Sequence, residues 1–153
     1  MRKLNLPAYE FRYRTEGESR LVLDVYRKRF VKLTPEEEVR QRFARYLVEE
    51  KGYPASLIMT EYALKVNKLS RRCDILVHKP AGQPVLMVEC KAPEVGISQA
   101  TFDQVARYNL AFRVSYLIVT NGLKHYCCRI EFETGKISFL GEIPAYADLS
   151  PGV

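Results

Sequence analysis

Three charged side chains interrupt apolar segments near the middle of this 153-residue chain. Asp74 stands in Arg72-Cys73-Asp74-Ile75-Leu76-Val77, and Glu89 and Lys91 end the run Val85-Leu86-Met87-Val88-Glu89-Cys90-Lys91. Acids at the end of apolar strands cost free energy to bury unless a cation compensates. Two carboxylates with an amine beside them suit a hard divalent ion, Mg²⁺ or Mn²⁺, which takes oxygen ligands and leaves positions for substrate phosphate oxygens. Such an ion neutralises charge developing on a phosphodiester and acidifies water. Lys91 beside it would orient or deprotonate the attacking water, or stabilise the crowded phosphorus.

That chemistry requires the three groups to meet. Cys73 to His78 and Val85 to Cys90 read as apolar strands, joined by the turn-rich linker Lys79-Pro80-Ala81-Gly82-Gln83-Pro84. An antiparallel hairpin centred near Ala81-Gly82 sets Asp74 opposite Glu89. Side chains two apart on a strand share a face, so Glu89 and Lys91 project together. Ser98 to Phe112 has helical length and spacing, and Ser115 to Thr120 reads as a further strand. Strand, helix, strand implies a right-handed crossover and a parallel pair in mid-sheet.

Upstream, residues 9 to 14 and 21 to 25 predict an N-terminal hairpin around Thr15 to Ser19. Thr34-Pro35-Glu36-Glu37 supplies an N-cap, a proline at the first helical position and a capping box, predicting a helix from about Pro35 to Glu50 that Gly52-Tyr53-Pro54 ends. Its face carries Glu37, Arg40, Gln41, Ala44, Leu47 and Val48. Pro54 to Ile58 suggests a short helical turn, and Met59 to Val66 alternates like a strand. The chain closes with a hairpin, Lys124 to Glu131 and Lys136 to Glu142, and an irregular tail from Pro144. The expectation is one α/β domain over residues 1–153: N-terminal hairpin about 9–25, core about 33–131, C-terminal hairpin about 124–142.

Composition narrows the classes. With 47% hydrophobic and 27% charged residues the chain is an ordinary globular one. No apolar run approaches the roughly 20 residues of a membrane span, and no secretory signal is evident, so the cytoplasm is expected. Cys73, Cys90, Cys127 and Cys128 lie in or beside apolar runs and read as reduced core thiols. With only His78 and His125 as imidazoles, structural zinc is not expected. The net charge of +6 is compatible with a polyanion, its densest runs being Tyr26 to Lys32 and Arg71-Arg72.

With Asp74 as its Asp and Glu89-Cys90-Lys91 as its E-x-K, the chain resembles the PD-(D/E)XK nuclease superfamily. Leu33 to Gln41, Gly52-Tyr53-Pro54, Arg72 to Ile75, Glu89 to Pro93 and Thr120-Asn121-Gly122 resemble, more closely, the N-terminal nuclease domain of type I restriction enzyme R subunits, over roughly residues 20 to 130. The resemblance implies a restriction-endonuclease-like mixed sheet flanked by helices and Mg²⁺-dependent DNA hydrolysis. Asp74, Glu89 and the Cys90 backbone carbonyl would be metal ligands and Lys91 the activator of water. It also implies a helix-borne acid assisting the metal, best matched by Glu37 with Glu36 or Glu38 as the alternatives, and a Gln-x-x-x-Tyr element, matched by Gln104 and Tyr108. DNA, restriction-modification or helicase subunits and a second copy of the chain are the partners implied. Two features depart from the family: Cys73 stands where the motif has proline, and these residues include no helicase motor.

Plainer readings stand beside these. Glu–x–Lys also occurs on solvated strands, and Glu37 serves equally as the capping-box residue. Gln104 and Tyr108 are ordinary i, i+4 neighbours. Arg72 and the Arg27-Lys28-Arg29 run suit either phosphate contacts or a solvated face. A DNA-binding or assembly module that keeps the nuclease fold and needs partner subunits is the second functional reading, and RNA is a further substrate left open.

Overall fold

The structure, a computed structural model, describes residues 3–66, 69–108 and 113–149, with the backbone alone for 64–66, 69–71 and 108. Strands β1 (Tyr13–Glu16), β2 (Ser19–Asp24) and β3 (Arg29–Lys32) form a small antiparallel sheet. The six-stranded sheet runs in chain order through β4 (Ile58–Val66), β5 (Leu69–His78), β6 (Pro84–Cys90), β7 (Tyr116–Thr120), β8 (His125–Glu131) and β9 (Lys136–Leu140). Only β6 and β7 pair in parallel, through the connection that contains helix α2 (Gln99–Tyr108). The last residues of the predicted crossover helix, 109–112, lie outside the described residues.

Helix α1 (Pro35–Lys51) begins and ends as its sequence predicts. Thr34 Oγ1 accepts the Glu37 backbone N–H at 3.0 Å, Pro35 opens the helix, and Gly52 ends it at φ +73°, where a side chain would cost about 1–2 kcal/mol. The capping box is half formed, because the Glu37 side chain turns to Arg27, Arg40 and Gln41.

The main sheet is covered on both faces. Val39, Phe43 and Leu47 of α1 pack with Ile75, Val77, Val88 and Ile118 on one side, and Phe102 and Val105 of α2 pack with Leu76, Met87, Leu117 and Val119 on the other. Cys73 joins Leu76 in the α2-side cluster although strict alternation pairs it with Ile75, so the pleat breaks at Asp74.

Two expectations change. The basic run after residue 25 contains β3, making the predicted hairpin a three-stranded sheet; Phe30 and Val31 supply the strand character that surrounding charge concealed. The tail from Pro144 is ordered, with one helical turn at Tyr146–Asp148, Leu149 buried in the α1-side core, and Pro144 O accepting from Tyr53 Oη at 3.0 Å. Near the N-terminus, Leu4 and Leu6 enter that same core. No helix among the described residues is long and apolar enough to cross a membrane.

Candidate active site

The β5–β6 ladder pairs Ile75 with Val88, Leu76 with Met87 and Val77 with Leu86. Continued by one residue, this register sets Asp74 opposite Glu89, as the linker predicts. Asp74 is buried: its Oδ2 accepts the Cys90 backbone N–H at 2.7 Å and its Oδ1 accepts Arg40 Nη2 at 2.7 Å. The Glu89 carboxyl hydrogen-bonds to Asp74. Burial first, and Asp74 second, push Glu89 up to about 8, with Lys91 opposing the rise. Glu89 therefore keeps its proton at neutrality, facing Asp74. Lys91 follows β6 directly, its backbone N–H donating to Thr120 O at 2.8 Å and so tying it to the end of β7.

Helix α1 presents a buried cation to these acids. Arg40 Nη1 donates to Glu37, while Nη2 lies 2.7 Å from Asp74, 2.8 Å from Glu61 and 3.4 Å from Glu36. Burial lowers its pKa, but the charges of Asp74 and Glu37 more than reverse that, so the guanidinium stays charged. Glu37 also accepts from Arg27 Nη2 at 2.8 Å and from Gln41 Nε2 at 2.9 Å. These bonds set it one layer behind Asp74, with Arg40 between. Glu36, half exposed one residue earlier, is the α1 acid that feels the cluster. Its pKa is raised by partial burial and then by Asp74, against the pull of Arg40 and Lys91.

Glu61 on β4 was not among the sequence candidates. The pairs Thr60–Ile75 and Tyr62–Cys73 bracket Glu61 and Asp74, so Glu61, Asp74 and Glu89 lie in one row across β4, β5 and β6. Glu61 has φ +50°, a left-handed conformation in mid-strand that costs about 1–3 kcal/mol for a residue with a side chain. The β4–β5 register, centred between residues 67 and 68, is the signal that would have aligned Glu61 with Asp74. Arg72, largely exposed, lies 3.5 Å from Glu61 and joins the rim of the cluster through it.

Gln104 is exposed on α2, and no hydrogen bond among the described residues links it to the acids. Tyr108 ends α2, and its side chain lies outside the described residues. Asn121, in the Thr120-Asn121-Gly122 segment, joins two loops. Its Nδ2 donates to Val95 O at 2.8 Å, while its Oδ1 accepts the N–H groups of Leu123 and Lys124. The loops that follow β6 and β7 are thereby laced together beside Lys91.

The donor set fits a hard divalent ion in one specific way. Among the described residues, no three His, Cys, Asp or Glu side chains converge to cage a metal by themselves. Asp74 and Glu89 instead offer two adjoining carboxyl groups, with a proton on Glu89 that an ion would displace, and the Cys90 carbonyl is the adjacent backbone oxygen. Such a partial set suits Mg²⁺, which keeps water and substrate oxygens in its shell.

A mixed sheet with a helix on each face and acids gathered across three neighbouring strands defines a nuclease-like α/β fold. The chain belongs to the family described as type I restriction enzyme R protein N terminus (HSDR_N), whose model matches residues 35–144. Among solved structures it is similar to the fragment of a putative HsdR subunit of a type I restriction enzyme from Vibrio vulnificus YJ016. The likeness is 21% in identity with a TM-score of 0.54, covering 76% of this chain and 24% of that one. This chain thus spans about a quarter of that fragment. No curated protein matches it.

Proposed function

We propose that this domain hydrolyses phosphodiester bonds of DNA with Mg²⁺ or Mn²⁺, as a restriction-type nuclease domain. The observation that carries the reading is the adjoining pair of Asp74, buried within β5, and Glu89, near the end of β6, with Lys91 beside them. Asp74, Glu89 and the Cys90 carbonyl would hold the ion, which when bound would offset phosphate charge and acidify water. Lys91 would orient and deprotonate the attacking water or steady the phosphorus centre. Glu36, nearer the cluster than Glu37, would take the role of the helix-borne acid. Arg72 would meet the DNA backbone from the rim, and Gln104 and Tyr108 would flank the substrate. Free, buried cysteines suit the reducing cytoplasm. The family's restriction partners would supply translocation and sequence recognition, and a second copy of the chain would serve the opposite strand.

Plasmid nicking tests this. Wild type should cut with Mg²⁺ or Mn²⁺, and folded Lys91→Ala and Asp74→Ala variants should lose at least ~100-fold in rate, the scale of general acid–base catalysis. Salt-dependent DNA binding indifferent to both metal and Lys91, with no cleavage of duplex, single-stranded or branched DNA, would replace the nuclease reading with that of a binding module.

A further inference from the structure

Residues before 35 lie outside the family match, yet a chain of alternating charges runs from them to Asp74. Asp24 is fully buried, accepting from Thr60 Oγ1 at 2.8 Å and from Arg27 Nε. Arg27 reaches on to Glu37 at 2.8 Å, Glu37 accepts Arg40, and Arg40 donates to Asp74 at 2.7 Å. We propose that Arg40 is the positioning residue for Asp74, and that Arg27, in the turn between β2 and β3, fixes Arg40 through Glu37.

A guanidinium is a rigid planar fork, so fixing two prongs fixes its plane. Arg40 spends Nη1 on Glu37 and Nη2 on Asp74, while its buried Nε has no partner among the described residues. Its orientation is therefore set at the far end, by Glu37 on one prong and by Asp74, with Glu61 and Glu36, on the other. Glu37 is held in turn by Arg27 and Gln41, and Arg27 by the buried Asp24. The Asp74 carboxylate is then clamped between Arg40 and the Cys90 N–H, with lone pairs left on both oxygens for a further ligand. Groups that orient a metal ligand in this way typically change metal affinity 10–100-fold when removed. This inference rests on Asp74 being a metal ligand.

Charge and positioning predict opposite signs, which makes the test decisive. Removing a cation beside Asp74 would, by charge alone, tighten binding of a divalent ion; losing the clamp would weaken it. In folded Arg40→Met the Mn²⁺ dissociation constant, read by titration calorimetry, should rise roughly tenfold or more, and in Arg27→Met several-fold. The double variant should be no weaker than Arg40→Met alone, because both act on one chain of contacts. In metal-free protein the Cys90 amide proton, which hydrogen-bonds Asp74, should move upfield in both variants. Glu37→Gln keeps the shape of the central link; should Arg40→Met fail to fold, the upfield move of the Cys90 amide in this variant decides, because losing an acid weakens Mn²⁺ binding by charge alone. Unchanged or tighter Mn²⁺ binding, additive effects, or an unmoved Cys90 amide would overturn the proposal. If wild type binds no Mn²⁺, the metal reading fails instead, and the Cys90 amide alone decides whether Arg27 and Arg40 position Asp74.

Discussion

The proton that Glu89 holds beside Asp74 makes metal-free stability depend on pH in a direction opposite to that of most carboxylates. Glu89 is raised above its ordinary value of 4.5 by burial and by Asp74. Between that value and about 8 the unfolded chain has released this proton while the folded state still binds it, so stability falls as pH rises. His125 acts on the acid side: burial lowers its pKa from 6.5, so protonation of the unfolded chain erodes stability as pH falls below that value. From pH 6.5 to 8 Glu89 dominates, since His125 fades as pH leaves 6.5 and the raised, buried cysteines act mainly at higher pH, in the same direction as Glu89. A single group contributes at most about 1.4 kcal/mol per pH unit, and partial relaxation brings this to roughly 1. Across the window the loss is about 1–2 kcal/mol, a fall in Tm of roughly 3–6 °C for a domain of this size. Thermal unfolding followed by circular dichroism, in buffers of matched ionic strength, reads it directly. Glu89→Gln should flatten the slope, and saturating Mg²⁺ should oppose it by displacing the proton. A wild-type Tm that is flat or rising over this window, or a slope that survives Glu89→Gln, would refute the raised Glu89.

Further outcomes follow from neighbouring contacts. Glu36→Gln should slow metal-dependent nicking several-fold with little change in Tm, whereas Glu37→Gln should lower Tm by several degrees, since the latter is enclosed by two arginines and Gln41; parallel cleavage and melting assays separate the two. Thr34→Ala removes the acceptor of the Glu37 N–H and should cost about 1 kcal/mol, seen as a Tm lower by roughly 2–4 °C. Gly122→Ala should destabilise by more than about 1 kcal/mol in urea titration, because φ is +85° there and a Cβ would lie 3.0 Å from the Leu4 side chain.

Local chemistry made much of this fold legible. The linker from Lys79 to Pro84 is short and turn-rich, so it fixed the β5–β6 register and with it the facing of Asp74 and Glu89. Thr34, Pro35 and Gly52 fixed α1 almost to the residue. Periodicity also assigned Glu37 correctly to the core-facing stripe of α1, and that position is why it serves a buried ion-pair network while Glu36 lies nearer the open cluster. Such a distinction depends on the rotation of α1 against the sheet, which Val39, Phe43 and Leu47 set through packing. β3 was hidden by its lysines and arginines, and Glu61 by a register that no strong turn signal marked. A charge network assembled from β2, α1, β4 and β5 has no expression in any single stretch of sequence.

Asn121 grips the loop after β6 by the carbonyl of Val95, and the Val95 side chain itself is exposed. Any residue offers that carbonyl. Replacing the Val95 side chain would thus change what this loop displays while the seat of Lys91 stays where it is. The tether separates what the loop displays from where the amine sits, so the first can change without disturbing the second.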